Sequence, residues 1–486
     1  MQHPYETVIG LEIHVQLNTR SKVFCADDAS FGGAPNTQVS AISLAHPGTL
    51  PRLNEAALGH AIRLGLALGC EVNRRSTFDR KNYFYADLPK GFQTTQDQSP
   101  ICIGGSLRIT PAAPDKSQPS VIRIHHIHLE EDAGKSLHDQ DPDDSLIDLN
   151  RAGVPLLEIV TEPDLRSAEE VAAFMTEIRR LVRWIGISDG NMEEGSLRCD
   201  VNVSVRKQGA TSLGNRCEIK NMNSMRFARR AIAYEVDRQI GILEGGGRIE
   251  QETRGFDPAS GATYSLREKE DAHDYRYFPE PDLPPVLVTE TWLETIRAAM
   301  PALPQDMEAA FRSDYGLPAH DAEMLTQEQG TTAYFIRLLK AGDAASMARP
   351  AANLIINKLL PWSTETEIPL DACPVSPEQW MEMLTLIETG KISASTAYQR
   401  LFPALLDNPA SSPAQLAADM NLLQNTDTAY LETVVSAVLT RYPEKVAEYR
   451  KGKKGLIGFF MGEVMKDSKG KADPKAATQL LERLLA

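Results

Sequence analysis

No run of about 18 apolar residues occurs anywhere in the 486-residue chain, so no membrane-spanning helix is expected. Its first residues, Met1-Gln-His-Pro-Tyr-Glu-Thr-Val8, lack a basic stretch followed by an apolar one, and no export signal is expected. Six cysteines (Cys25, Cys70, Cys102, Cys199, Cys217, Cys373) form no Cys-x-x-Cys pair, which argues against a disulfide framework or a cysteine-rich zinc module and points to the reducing cytoplasm. Gly134-Lys135-Ser136 ends like a phosphate-binding P-loop. The glycine required five residues earlier is Leu129, however, and the acids at 130 to 132 would repel phosphate. No Gly-x-Ser-x-Gly elbow is present, and nothing recommends one of the cysteines as a nucleophile, so covalent acyl chemistry is not expected.

What is present is ordinary globular material, 42% hydrophobic and 24% charged, enough for about two to four domains at this length. The net charge of −15 disfavours a nucleic-acid partner except where bases are concentrated. They are concentrated between Arg441 and Lys471, where nine Lys and Arg face four acids, leaving −20 for the rest. Such a patch suits an RNA-contacting appendage, and equally a solvated helix.

Prolines 279, 281, 284, 285, 301 and 304 follow a stretch rich in strand patterns, and beyond them the patterns turn helical, which sets a boundary near 295. Ser376-Pro-Glu-Gln379 and Ser412-Pro-Ala-Gln415 each read as an N-cap, a proline at N1 and a glutamine at N3; the second follows a loop and sets another boundary near 411. Alternation over Leu11–Leu17 and Leu197–Arg206 predicts strands with one polar face, and stripes at 167–185 and 224–243 predict helices. The expected class is α+β, with a mixed first domain (1–295), a helical domain (296–410) and a helical tail (411–486).

Glu12 and His14 share one strand face, a spacing open to a shared ion and to a plain solvated face alike. Glu158 lies in the apolar run Pro155-Leu-Leu-Glu-Ile-Val160, where a carboxylate is costly without a cation, metal or donor. The alternation slips at His125-His126, as at a β-bulge, just before Glu130 to Asp132. Glu193 and Glu194 precede the strand that carries Asp200. Carboxylates with one imidazole suit Mg²⁺ or Mn²⁺ and phosphoryl transfer. Phe78-Asp-Arg-Lys-Asn-Tyr-Phe-Tyr85, with Lys90 beyond, interleaves bases with aromatics as an RNA-end or nucleotide site would, and as a surface strand with one aromatic face also would.

Those motifs, with Thr7-Val-Ile-Gly-Leu-Glu-Ile-His-Val15, His128-Leu-Glu-Glu-Asp-Ala-Gly-Lys135, Asp148-Leu-Asn-Arg-Ala-Gly153, Glu158-Ile-Val-Thr-Glu-Pro-Asp164, Met192-Glu-Glu-Gly-Ser-Leu-Arg-Cys-Asp200, Glu252-Thr-Arg254 and Asp274-Tyr-Arg-Tyr-Phe-Pro-Glu-Pro-Asp282, resemble the B subunits of aspartyl/glutamyl-tRNA(Asn/Gln) amidotransferases over essentially the whole chain. The resemblance implies a catalytic cradle, a helical domain and a YqeY-like tRNA-binding tail. It also implies an ATP-dependent carbon–nitrogen ligase that phosphorylates the side-chain carboxylate of mischarged Glu-tRNA(Gln) or Asp-tRNA(Asn). Ammonia, released from glutamine by a partner A subunit in a heterotrimer completed by a C subunit, then displaces phosphate. The alternative is a non-catalytic tRNA-binding scaffold in the same complex.

By position, Glu12, His14, Glu131 and Glu158 match the family's Mg²⁺ ligands, and Lys81 and Lys90 match lysines on the ammonia route. Glu193, Glu194 and Asp200 are further catalytic candidates; Arg198 and Arg206, on the Asp200 strand face, are candidates for nucleotide or acyl phosphate. Lys451, Lys453, Lys454, Lys469 and Lys471 are the tRNA-binding candidates. The family's four-cysteine zinc knuckle is represented here by Cys25, Asp27, Ser40 and Ser43, so no zinc is expected and the loop should be held by packing alone.

Overall fold

The computed structural model describes residues 4–111, 119–138, 141, 143–220, 222, 224–267, 275–424, 428–468 and 472–485. Asp274, Lys469 and Lys471, all named above, lie outside these residues. The chain divides into two compact units, Met1–Pro304 and Gln305–Ala486. The division falls later than residue 295 because the helix Glu290–Ala298 packs on the helix Glu55–Ala67, and Trp184 Nε1 donates to Ala302 O at 2.8 Å.

The first unit is built on a ten-stranded sheet. Across it run Ala262–Arg267, Glu252–Asp257, Cys217–Lys220, Leu197–Lys207, Tyr5–Gln16, Pro155–Thr161, Ser120–Glu131, Cys102–Ile103 and Glu71–Val72, with Ser106–Ile109 also paired to Ser120–Glu131. Neighbours are antiparallel except Cys217–Lys220 beside Glu252–Asp257, and that parallel pair requires the crossover supplied by the helix Met225–Glu244. Tyr5–Gln16 sits centrally: Ile9, Leu11, Ile13 and Val15 are buried, while Glu12, His14 and Gln16 take the opposite, half-buried face. Helices Glu55–Ala67, Ala168–Trp184 and Met225–Glu244 pack against strands of this sheet. The second begins at Ser167, whose hydroxyl accepts from Glu170 N, while the Glu170 carboxylate accepts from Arg166 N and not from the cap itself.

The bulge falls where the alternation slips. Val160 faces His126 but Thr161 faces Ile124, so His125 is the extra residue. Its effect is a parity switch. Ile122 and Ile124 are buried before it and Ile127 and Leu129 after it, so His126, His128 and Glu130 turn to the polar face. A small sheet of Phe278–Pro279, Asp79–Asn82 and Phe92–Thr95 docks against the end of this strand: Gln93 Nε2 donates to Glu131 O at 2.8 Å, and Leu129 N to Gln96 Oε1 at 3.0 Å.

The loop expected to rely on packing is instead stitched by hydrogen bonds. Asp27 Oδ2 accepts from Ser40 N at 2.8 Å and from the Ser43 hydroxyl, and Ser43 Oγ also meets Cys25 Sγ at 3.4 Å. A carboxylate thus joins the two arms that a metal would join. Asp27→Ala is expected to cost about 1–3 kcal/mol by leaving these donors unpaired. Thermal unfolding, together with faster proteolysis between residues 27 and 43, checks it.

The second unit is helical with two apolar cores, Phe311–Leu422 and Leu431–Leu485. Helix Pro413–Asp419 contributes Ala417 to the first core, so the change of core comes after Leu422 and not at 411. Both π-turns, Ile355–Leu359 and Ala397–Leu401, precede a proline, Pro361 and Pro403. Proline lacks the N–H for the i−4 carbonyl and clashes with it, and the backbone widens: Leu360 N donates to Ile355 O and Phe402 N to Ala397 O.

Candidate active site

Register assembles the site. His128, Glu158, His14 and Arg198 are direct cross-strand partners on four adjacent strands, so they form one row on the polar face of the sheet. His14 Nε2 lies 3.3 Å from Glu158 Oε2 and 3.8 Å from Glu130 Oε1; His128 Nε2 lies 3.5 Å from both Glu130 Oε2 and Glu158 Oε2. Burial pushes both imidazoles down, but the Glu158 hydrogen bond to His14 and the Glu130 hydrogen bond to His128 reverse this and leave each above its ordinary value. The Glu158 carboxyl is held far below its usual range: burial opposes ionisation, and His14 with His128 overcomes it. Glu12, one register step away and accepting from Asn202 Nδ2 at 3.0 Å, is pushed up by burial and by Glu158.

His14, Glu130 and Glu158 each offer a ligand atom within 4.8 Å of the others. Two carboxylates and one imidazole match the donor set of a hard divalent cation, and the partly buried anions, which here face the two imidazoles, would be compensated by Mg²⁺ or Mn²⁺. The residues present therefore fit such an ion.

The row opens into a cavity of about 680 Å³ lined by His14, Lys81, Tyr83, Glu130, Asp132, Glu158, Glu193, Glu194, Arg198, Asp200 and Lys220. Lys81 stands with its ammonium 4.9 Å from the Tyr275 ring; burial lowers its affinity for the proton, and Glu130, Tyr277 and Glu158 restore and raise it. Arg198 is oriented by the buried Asp132 (Nη2 to Oδ2, 2.8 Å), which also accepts from Gln16 Nε2 at 2.6 Å. Lys220 lies 3.3 Å from Asp200 Oδ2 and 3.0 Å from Glu218 Oε1.

Six expected site residues besides Glu158 therefore share this cavity: His14, Lys81, Glu193, Glu194, Arg198 and Asp200. Four expectations change. Glu12 is outside the His14–Glu130–Glu158 cluster and lines a separate cavity with Asn202. Glu131 is on the other face of its strand from Glu130, where its carboxylate pairs with Lys90 and accepts from Thr94 N at 2.8 Å. The member of the doublet in the histidine cluster is Glu130. Lys90, its ammonium over the Phe24 and Phe92 rings, lines a second cavity of about 260 Å³ with Glu131 and Asp132. Arg206 is eight residues along the strand from Arg198, roughly 27 Å at strand rise, and is bonded to Glu6 at 2.8 Å, so it does not line the cavity. In the second unit, Lys451, Lys453 and Lys454 are exposed; Lys453 pairs with Glu448 and Lys454 lies over Tyr449.

Residues 7–294 match the family model described as the GatB/GatE catalytic domain, and residues 333–485 that described as the GatB domain. The aspartyl/glutamyl-tRNA(Asn/Gln) amidotransferase B subunit of Anaeromyxobacter sp. (strain Fw109-5) is 48% identical over 482 residues, covering 99% of each chain. The chain belongs to the GatB family. Proteins of the same name from Ralstonia nicotianae and Geotalea daltonii are 47% and 46% identical, again with 99% of each chain aligned. The GatB/GatE catalytic match contains every cavity residue named above, and the GatB domain match contains the three exposed lysines. Among the described residues, no helix is long and apolar enough to cross a membrane.

Proposed function

We propose that this chain is the catalytic B subunit of a glutamine-dependent tRNA amidotransferase, working with an A (amidase) subunit and a C subunit in the cytoplasm on Glu-tRNA(Gln), Asp-tRNA(Asn) or both. The observation that carries this is the joining, in one cavity, of the His14–Glu130–Glu158 cluster with the cations Lys81 and Arg198. His14, Glu130 and Glu158, with Glu12 nearby, would hold Mg²⁺ (or Mn²⁺), which would supply charge neutralisation for phosphoryl transfer. Arg198, fixed by Asp132, and Lys81 face the transferring phosphoryl group and steady the acyl phosphate. The nitrogen of ammonia then bonds to the acyl carbon, the carbon–oxygen bond to phosphate breaks, and one proton passes from the nitrogen to the departing phosphate.

Asp132 lines both cavities, and the Lys90–Glu131 pair lines the smaller one beside it, so the smaller cavity is read as the ammonia approach. Glu193, Glu194 and Asp200 line the same cavity as the His14–Glu130–Glu158 cluster and would contact ammonium or the metal. The lysines at 451, 453 and 454 suit contacts to the tRNA backbone, and no zinc is required.

The test is ADP formation and amide formation by the three-subunit complex, wild type against Glu158→Gln. Loss of both, with tRNA binding and glutamine hydrolysis retained, is expected. Unchanged turnover would leave the chain as a tRNA-binding scaffold.

A further inference from the structure

At the cavity mouth the structure holds more aromatic surface than the chemistry above uses. Tyr83 lines the cavity and its ring centroid lies 5.7 Å from that of Tyr85 and 6.1 Å from that of Tyr275, which in turn lies 6.0 Å from Tyr277. The four rings make one row, drawn from two distant segments. Asn82 fastens these segments: its backbone N donates to Tyr275 O at 3.0 Å, and its side-chain amide to Tyr275 O at 3.1 Å and Arg276 O at 2.8 Å. Successive rings meet at 69–71°, edge to face, so no two of them are stacked face to face. The ends of the row are open: Tyr85 is 49% and Tyr277 39% exposed, and beside them Phe84 is 87% exposed.

Such exposure is unfavourable for a surface with no partner. The charges indicate which partner. Lys81 lines the cavity and stands with its ammonium 4.9 Å from the Tyr275 ring, and the exposed Arg276 lies between Tyr275 and Tyr277 in the chain, so cations accompany the rings from the cavity outward. A ligand that carries both bases and phosphates finds its complement along the row. Resting on the proposed function, the aminoacyl group must enter the cavity while the nucleotides that bear it stay outside. We propose that the Tyr83–Tyr85–Tyr275–Tyr277 row, with Phe84, is a stacking platform for the unpaired bases of the single-stranded 3′ end of the aminoacyl-tRNA. Stacking is tolerant of sequence, because every base has a π-face, so one platform serves either mischarged tRNA.

The probes are full-length deacylated tRNA with 2-aminopurine in place of its terminal adenine, and the same tRNA lacking its single-stranded 3′ tail, each titrated against the three-subunit complex. Tyr85→Ala and Tyr277→Ala, both at exposed ends of the row, should each weaken the full-length tRNA by about 5- to 150-fold and lose the fluorescence quenching of the stacked base. Binding of the tailless tRNA should not change between wild type and variants, and Tyr277→Phe should restore the wild-type result. Equal weakening of tailless tRNA, or unchanged binding and quenching, overturns the platform. So does a raised KM for ATP in place of weakened tRNA binding, which would assign the row to the nucleotide's adenine, or loss of co-purification with the A subunit, which would make it a protein contact. Tail-dependent losses in the tyrosine variants together with an inert Glu158→Gln would sink the catalytic reading and leave the platform standing.

Discussion

Glu130→Gln is expected to slow ADP formation by the assembled complex by about 10²–10³-fold, the effect of losing one preorganised group from a charge-stabilising site. The substitution keeps shape and removes one charge from the set in which His14, Glu130 and Glu158 come within 4.8 Å. Its signature should be a higher Mg²⁺ requirement, read from Mg²⁺ titration of ADP formation and from direct Mn²⁺ binding. Glu131→Gln is the control one residue away. Its carboxylate belongs to the Lys90 pair on the opposite strand face, so ADP formation should retain its Mg²⁺ dependence while glutamine-coupled amide formation falls. If Glu131→Gln shifts the Mg²⁺ titration and Glu130→Gln does not, the assignment by strand face is wrong.

The same doublet marks where the sequence stops being legible. Strand alternation and the slip at His125-His126 are enough to expect a bulge, and Glu158 inside an apolar run announces itself. Which of two adjacent acids faces the histidines depends on parity after the bulge, and parity is fixed by a pairing register with Pro155–Thr161 that a single strand does not reveal. His128 and Asp132 carry no signal of their own beside the doublet; once the bulge is placed at His125, the two-residue period puts His128 with Glu130. Lys220 gives no signal either, since it reaches the cavity only because Cys217–Lys220 lies beside Leu197–Lys207. Arg206 misleads in the opposite way: it shares a strand face with Arg198, but a strand face is long, and only Glu6 across the sheet decides which end is which. Glu252-Thr-Arg254, quoted above among the motifs of the resemblance, serves as architecture in the structure.

That architecture yields the other large effect. Glu235→Ala is expected to destabilise the first unit by about 3 kcal/mol, because it removes the buried carboxylate that faces Arg238 and the buried Arg254. The helix stripe read as Ala228, Ile232, Val236, Ile240 and Leu243 is rotated in the structure: Val236 and Leu243 are half-buried, and Glu235 and Gln239 take core positions at 0% exposure. Glu235 accepts from Arg238 at 3.0 and 2.7 Å, from Gln239 at 2.9 Å and from Thr263 at 3.0 Å, with Arg254 at 3.4 Å; Arg254 in turn holds Glu252 and the Thr263 carbonyl. Burial would raise the Glu235 carboxyl, but the Arg238 and Gln239 hydrogen bonds outweigh it and hold it below its ordinary value of 4.5. Its contribution is therefore present above that value and lost as pH falls through the lower folded one. Urea unfolding of wild type, Glu235→Ala and Glu235→Gln should show the alanine variant weakest at neutral pH, with the wild-type advantage over the glutamine variant fading on acidification. Equal stability of all three at neutral pH would remove the network from the account. Because the network ties Met225–Glu244 to Glu252–Asp257, the strand parallel to Cys217–Lys220, its loss should also loosen Lys220 at the cavity wall, and ADP formation in Glu235→Ala should fail at lower temperature than in wild type.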